Sequence, residues 1–123
     1  MSIEKNILIV DDSESIRLVV SLGLKEAGYN VVAGINGQDG LRLLEENKVD
    51  LIISDLNMPI MDGITFLKEV RKHDRYKFLP LLILTTESQE SKKIEAKQAG
   101  ATGWIIKPFV KEKLLAVVKK VIG

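Results

Sequence analysis

The stretch LIISDLNMPIMDG, residues 51–63, begins as an unbroken apolar run and ends abruptly on a carboxylate, Asp55. The run is rich in Ile and Leu and does not alternate in polarity, which is typical of a strand buried on both faces of a parallel sheet. Beyond it, Pro59 and the Asp62-Gly63 pair indicate that the chain turns before its next element. The stretch therefore predicts a parallel sheet with an acid at the carboxyl end of a buried strand.

Similar apolar runs recur along the chain and alternate with longer amphipathic segments. The five runs are NILIV at 6–10, NVVA at 30–33, DLIIS at 50–54, LPLLIL at 79–84 and GWII at 103–106. The helical patterns cover about 13–27, 37–47, 62–73, 88–99 and 110–122. Five strands interleaved with five helices predict an α/β fold, a doubly wound five-stranded parallel sheet, for which the flavodoxin-like order 2-1-3-4-5 is one common arrangement.

The helix ends carry further signals. Asp62 is a good N-cap for the third helix, and Gly28 is a good stop for the first. Val110 stands where the fifth helix needs a capping side chain, so that end is expected to be less well fixed. His73, the only histidine, has no carboxylate or second histidine spaced to make it a metal ligand or a base, and it is predicted to be solvated.

The composition limits the possible classes of function. The chain has 123 residues, 46% of them apolar, which predicts one domain over residues 1–123 without a separate output domain. It contains no cysteine, which excludes disulfides, thiolate metal sites and cysteine nucleophiles. The net charge of +1 argues against nucleic acid or a membrane surface as a partner. No apolar run approaches the ~20 residues of a membrane-spanning helix, so we expect a cytoplasmic protein.

Polar residues follow four of the five predicted strands. Asp11 and Asp12 follow the first strand, Asp55 the third, Thr85 the fourth and Lys107 the fifth. The carboxyl ends of parallel strands lie at one edge of the sheet, where ligands bind in open α/β folds. We therefore expect these side chains to converge.

Such a cluster suits phosphoryl chemistry. Three carboxylates brought together repel one another unless a cation intervenes. Oxygen ligands with room for water and phosphate favour Mg²⁺, and Lys107 supplies a positive charge for a phosphoryl group. Asp55 can then attack the phosphorus while Mg²⁺ and Lys107 neutralise charge.

Each residue also has a plainer interpretation. Asp11 and Asp12 alone would be helix-capping residues, and Lys107 alone an ordinary surface lysine. Thr85 alone would be a strand end or N-cap, and Trp104 alone a packed core residue. The combination of all of them at one predicted edge favours the functional interpretation.

Four blocks of the sequence resemble the signature blocks of response-regulator receiver domains: ILIVDDS, DLNMPIMDG, LTTES and GATGWIIKPF. They occur in the family's order and spacing, and the single-domain, CheY-like chemotaxis type is the most similar. The resemblance implies that Asp55 accepts the phosphoryl group. It also implies that Asp12, Asp55 and the backbone carbonyl of Asn57 ligate Mg²⁺ directly, while Asp11 acts through water.

The resemblance assigns three further positions. Lys107 matches the lysine that pairs with the phosphoryl group, and Thr85 matches the hydroxyl that moves to bind it. Trp104, three residues before the lysine, falls at the switch position, which is usually tyrosine or phenylalanine. The resemblance implies that the side chain of Trp104 rotates on activation, although indole is larger than either of those rings.

The function implied is that of a two-component response regulator phosphorylated by a histidine kinase. Its partner would be a protein such as a flagellar motor switch component, bound through helix 4, strand 5 and helix 5, because helix 4 is too polar to be held by core packing alone. A receiver in a phosphorelay or in pilus motility is an alternative. A constitutive interaction module that is never phosphorylated is less favoured, because such domains usually lack one of the acidic residues and this sequence has all of them. An aspartate-based phosphohydrolase is also disfavoured, because Asn57 stands where that chemistry needs a second acid.

Overall fold

Five parallel strands form one sheet of order β2-β1-β3-β4-β5 in a computed structural model, which describes residues 4–123. The strands are β1 (Asn6–Val10), β2 (Asn30–Gly34), β3 (Leu51–Ser54), β4 (Leu81–Thr85) and β5 (Gly103–Ile106). The helices are α1 (Glu14–Glu26), α2 (Gly37–Glu46), α3 (Gly63–Lys72), α4 (Glu90–Gln98) and α5 (Lys111–Ile122). The predicted fold class and strand order are confirmed.

The central strands are buried because helices cover both faces of the sheet. Every residue of β3 and β4 is buried. Ile52 pairs with Leu8 of β1 and Leu81 of β4, and these residues join the core under α2, α3 and α4. The alternate residues, such as Ile53 and Leu82, join a second core under α1 and α5. Apolar side chains are thus needed at successive positions, which accounts for the unbroken apolar runs.

Several predicted boundaries differ from the structure by one or two residues. The fourth strand begins at Leu81 rather than 79 and includes Thr85. The third begins at Leu51 rather than 50, because the Asp50 carboxylate turns back to accept a hydrogen bond from the Asn6 N–H at 2.8 Å. A short 3-10 helix over Asp74–Tyr76, not predicted, joins α3 to β4.

Most helix ends are capped as the sequence indicates. Asp62 Oδ1 accepts from the Thr65 N–H at 2.8 Å at the start of α3, and Gly28 follows α1 with a φ of +98°. The N-caps of α4 and α5, Gln89 and Val110, accept no side-chain hydrogen bond, which confirms the prediction for Val110. The start of α4 therefore depends on the loop before it. None of the helices within residues 4–123 is long and apolar enough to cross a membrane.

His73 is only partly exposed and has a carboxylate partner, rather than being surrounded by solvent. Its Nε2 lies 2.9 Å from Glu45 Oε1, which comes from the neighbouring α2. The Arg75 N–H donates to His73 Nδ1, so Nε2 carries the proton that faces Glu45. Sequence spacing could not show this pair because it is made across two packed helices.

Candidate functional site

Three carboxylates converge at the carboxyl ends of β1 and β3. Ligand oxygens of Asp11, Asp12 and Asp55 all lie within 4.8 Å of one another. The two strands are joined at this point, because the Asp55 N–H donates to the Val10 carbonyl at 2.9 Å. Asp11 is only 2% exposed and Asp55 9%, whereas Asp12 is exposed. The predicted convergence of the acids is confirmed.

Asp55 is fixed on one side and faces the cluster on the other. Its Oδ1 accepts from the Leu56 N–H at 2.7 Å, and its carbonyl accepts from the Ser54 hydroxyl at 2.8 Å. Its Oδ2 lies 3.3 Å from Lys107 Nζ. One carboxylate oxygen is therefore held by the backbone while the other faces a cation.

Lys107 bridges two of the three acids. Its Nζ lies 2.8 Å from Asp11 Oδ2 as well as 3.3 Å from Asp55 Oδ2. Its backbone N–H donates to the Thr85 carbonyl at 2.8 Å, which places the lysine immediately beyond the β4–β5 pairing. The side chain is thus supplied by an edge strand and reaches across two strands to β1.

The electrostatics of the cluster favour an additional cation. Burial raises the pKa of the Asp11 carboxyl, while hydrogen bonds from the Lys107 ammonium and the Ser13 N–H oppose the rise. Folding raises the pKa of Asp11. The contribution of Asp11 to the free energy of unfolding therefore falls as the pH rises from its pKa in the unfolded chain to its higher pKa in the folded protein. The cluster brings one ammonium together with three carboxylates, so the acidic groups outnumber the cation by two. The oxygen-only set of carboxylates fits a hard divalent cation.

The loop after Asp55 is shaped by a glycine. The Gly63 N–H donates to the Leu56 carbonyl at 2.7 Å, closing the loop against the start of α3. A Cβ at position 63 would overlap the Asp55 carbonyl oxygen and lie 2.7 Å from Leu56 Cα. Only glycine allows this approach. Asn57, within the loop, is exposed and lines a polar cavity of about 100 Å³ between this loop, α3 and α4.

Thr85 is fully buried at the end of β4, beside the lysine-bearing strand. Its Oγ1 accepts from the Glu87 N–H at 3.1 Å, so the hydroxyl ties down the loop that leads to α4. This bond was not predicted, and its only sequence signal is a hydroxyl two residues before the donor.

Trp104 lies on the α4 side of the sheet. It pairs with Ile83 in the β4–β5 register and is partly buried against the core under α4. Trp104 also lines a cavity of about 230 Å³, together with Lys93, Ala96 and Lys97. The ring therefore lies between β5 and α4, with open space beside it.

Two arginines that the sequence analysis did not select also join elements, Arg17 at this edge of the sheet and Arg71 at the opposite edge, where β4 and β5 begin. Arg17 donates to the Asp11 carbonyl at 2.8 Å. Arg71 donates to the Leu79 and Gly100 carbonyls, each at 2.7 Å, and so joins the end of α3 to the turn that follows α4. Neither contact has a sequence signal, because each depends on how a long side chain crosses between elements.

Comparisons with known proteins agree with this arrangement. The response regulator receiver domain model matches residues 7–119. The chain is 38% identical over 122 residues to chemotaxis protein CheY of Pseudomonas aeruginosa, an alignment that covers 95% of this chain and 98% of the relative. It is 47% identical, with a TM-score of 0.93, to the structure of chemotaxis protein CheY4 of Vibrio cholerae, covering 97% and 99% of the two chains.

A third relative is described with a bound metal. The receiver domain of the sensor histidine kinase PA1611 from Pseudomonas aeruginosa is 26% identical, with a TM-score of 0.90 and coverage of 98% and 99%. Its structure has a magnesium ion coordinated in the active site cleft. The whole-length match to the family model and to CheY relatives, together with the acid–lysine cluster, identifies this chain as a member of the response regulator receiver domain family, the signalling switches of two-component systems.

Proposed function

We propose that Asp55 accepts a phosphoryl group from a phosphohistidine of a sensor kinase and that this modification switches a partner-binding surface. The observation that carries the proposal is the position of Lys107, whose ammonium bridges Asp11 and Asp55 at the carboxyl edge of the sheet. In the transfer a carboxylate oxygen of Asp55 bonds to phosphorus and the phosphorus–nitrogen bond of the donor breaks. Lys107 is placed to pair with the negative oxygens of the transferred group.

Mg²⁺ is the proposed cofactor. Asp12, Asp55 and the backbone carbonyl of Asn57 would hold it directly, and Asp11 would act through a water molecule. The acid cluster supports this assignment, as does the magnesium found in the related receiver domain. When bound, the ion neutralises charge on the phosphoryl oxygens. The Leu56 N–H and Lys107 orient the carboxylate of Asp55.

Binding of Mg²⁺ should stabilise the fold in a way that depends on Asp12. At 100 times its dissociation constant, a ligand specific to the folded state adds about 2.7 kcal/mol, or on the order of 10 °C in melting temperature for a domain of this size. Asp12→Ala should abolish this rise, as measured by thermal unfolding with MgCl₂ and with EDTA. In EDTA the variant should be more stable than the parent, because one repelling charge has gone.

Asp74→Ala is the matched control. Asp74 is also an aspartate, its side chain is 98% exposed, and it pairs with Lys77, outside the cluster. This variant should keep the full Mg²⁺ response. An undiminished Mg²⁺ response in Asp12→Ala would refute the metal site.

The route from Asp55 to the surface is proposed to run through Thr85. Its hydroxyl now accepts the Glu87 N–H, so turning it toward a phosphoryl oxygen breaks that bond. The loop before α4 then loses its tie at the end where the helix lacks a side-chain cap. Arg71 still holds the Gly100 carbonyl beyond the other end. Phosphorylation would therefore move the N-terminal end of α4 more than its C-terminal end.

The proposed output surface is formed by α4, β5 and α5. Ile94, Ile106 and Val110 are exposed there, and Lys93 and Lys97 flank the cavity beside Trp104. An apolar surface rimmed by lysines suits a partner segment that carries apolar and acidic side chains. The CheY relatives favour a chemotaxis target, such as a flagellar motor switch component.

Trp104 should report the switch by fluorescence. Beryllofluoride with Mg²⁺ mimics the phosphoryl group, and it should shift the emission intensity or wavelength of this single tryptophan as the population moves to the active state. Thr85→Ala should bind beryllofluoride but show a much smaller change in fluorescence, because it lacks the hydroxyl that couples Asp55 to Trp104. If the parent binds beryllofluoride and its emission stays constant, Trp104 is a static packed residue and the switch acts elsewhere.

A further inference from the structure

The turn between β1 and α1 is held from three directions. The Asp11 N–H donates to the Gly34 carbonyl at 3.2 Å, and Asp11 Oδ1 accepts from the Ser13 N–H at 2.9 Å. The third contact comes from a side chain: Arg17 NH1 donates to the Asp11 carbonyl at 2.8 Å. This guanidinium contact is shorter than the two others, and it comes from a residue in the first turn of α1.

The carbonyl that Arg17 binds belongs to the peptide that joins Asp11 to Asp12. Because a peptide group is planar, fixing its oxygen also fixes the direction in which the chain enters Asp12. The Asp12 side chain is exposed, and the hydrogen bonds and ion pairs found within residues 4–123 do not include its carboxylate. The backbone is therefore what orients this acid toward Asp11 and Asp55.

We propose that Arg17 is a positioning residue of the metal site, which fixes the Asp11–Asp12 peptide so that Asp12 points into the acid cluster. The inference rests on the proposed function, since it concerns binding of Mg²⁺ at the same site. Residues that orient ligands without touching the metal typically contribute about 10- to 100-fold to metal affinity.

Charge and position have opposite effects here, which makes the inference testable. The guanidinium is a positive charge beside the cluster, so its removal alone would strengthen the attraction for a cation. Loss of the carbonyl contact would instead leave the Asp12 peptide without its anchor and weaken binding. A weaker site in an Arg17 variant therefore cannot come from the lost charge.

The test is calorimetric titration of the whole chain with MgCl₂ at constant ionic strength. Arg17→Met should raise the Mg²⁺ dissociation constant by about tenfold, and Arg17→Lys should restore most of the affinity, because an ammonium can donate to the same carbonyl. Arg42→Met is the matched control, since Arg42 pairs with Asp39 and Glu46 and contacts none of the cluster acids. It should leave the dissociation constant unchanged. Arg17→Gln, whose side chain is shorter, replaces the methionine variant if that does not fold, with the same tenfold loss expected.

The outcomes separate the two claims. If the parent binds Mg²⁺ and a folded Arg17→Met or Arg17→Gln binds it equally well or more tightly, the positioning role is overturned and the metal site stands. Suppose that Arg17→Lys melts at the same temperature as the parent in EDTA but binds Mg²⁺ no better than Arg17→Met. The contact with the Asp11 carbonyl is then not what supports Mg²⁺ affinity, and the inference also fails. If the parent itself does not bind Mg²⁺, the proposed function fails together with the inference.

Discussion

Replacing Gly63 with alanine should destabilise the fold by about 3 kcal/mol, which lowers the melting temperature by on the order of 10 °C. A Cβ there would overlap the Asp55 carbonyl oxygen and lie 2.7 Å from Leu56 Cα. Both neighbours are backbone atoms, so no side chain can move aside to make room. Urea denaturation followed by circular dichroism measures the change in the free energy of unfolding.

The same substitution should also disturb Asp55, the proposed acceptor. Asp55 Oδ1 is held by the Leu56 N–H, and the Leu56 carbonyl is held by the Gly63 N–H. A shift of this loop therefore moves the carboxylate relative to Lys107. We expect Gly63→Ala to be labelled more slowly by a phosphodonor even at temperatures where it is fully folded.

Gly23→Ala is the matched control for Gly63→Ala. Gly23 is also a buried helical glycine, but a Cβ there would meet only the side chain of Lys111, at an ordinary 3.6 Å. Alanine is favoured over glycine within a helix by about 1 kcal/mol, so this variant should be as stable as the parent or more so. Equal destabilisation by both substitutions would show that Gly63 has no special role in the loop.

The apolar pattern predicted the fold class and the edge that carries the site, and the resemblance to receiver domains supported the strand order. Unbroken apolar runs such as LIIS mark strands covered on both faces, and their alternation with helices leaves few possible topologies. In a parallel sheet the residues after each strand then share an edge. That rule is enough to predict that Asp11, Asp55 and Lys107 lie close together.

The finer geometry depends on packing that a linear pattern does not contain. Asp11 and Asp12 are adjacent, yet one is buried and the other exposed. Lys107 contacts Asp11 more closely than Asp55, because it reaches from the edge strand across to β1. The contact from Arg17 to a backbone carbonyl likewise follows from tertiary structure, since many residues one turn into a helix have no such partner.

The distribution of side chains at the two ends of α4 also bears on signalling. Ala96 is the buried residue of this helix, and its other side chains are exposed or only partly buried. With few core contacts, the position of α4 depends on its ends, namely the loop tied by Thr85 and the turn tied by Arg71. In the proposed mechanism, a small change at Asp55 would reach the surface through these two ends without repacking of the core.

The central claim is that Asp55 is the single phosphoryl acceptor, and intact-mass measurement tests it most directly. The parent, Asp55→Asn and the control Asp74→Asn are each incubated with Mg²⁺ and an acyl phosphate donor and then weighed by mass spectrometry. Asp74 lies in the 3-10 helix between α3 and β4, outside the cluster, and pairs with Lys77. The account predicts a gain of one phosphoryl group in the parent and in Asp74→Asn, and none in Asp55→Asn. Equal labelling of Asp55→Asn and the parent would contradict it.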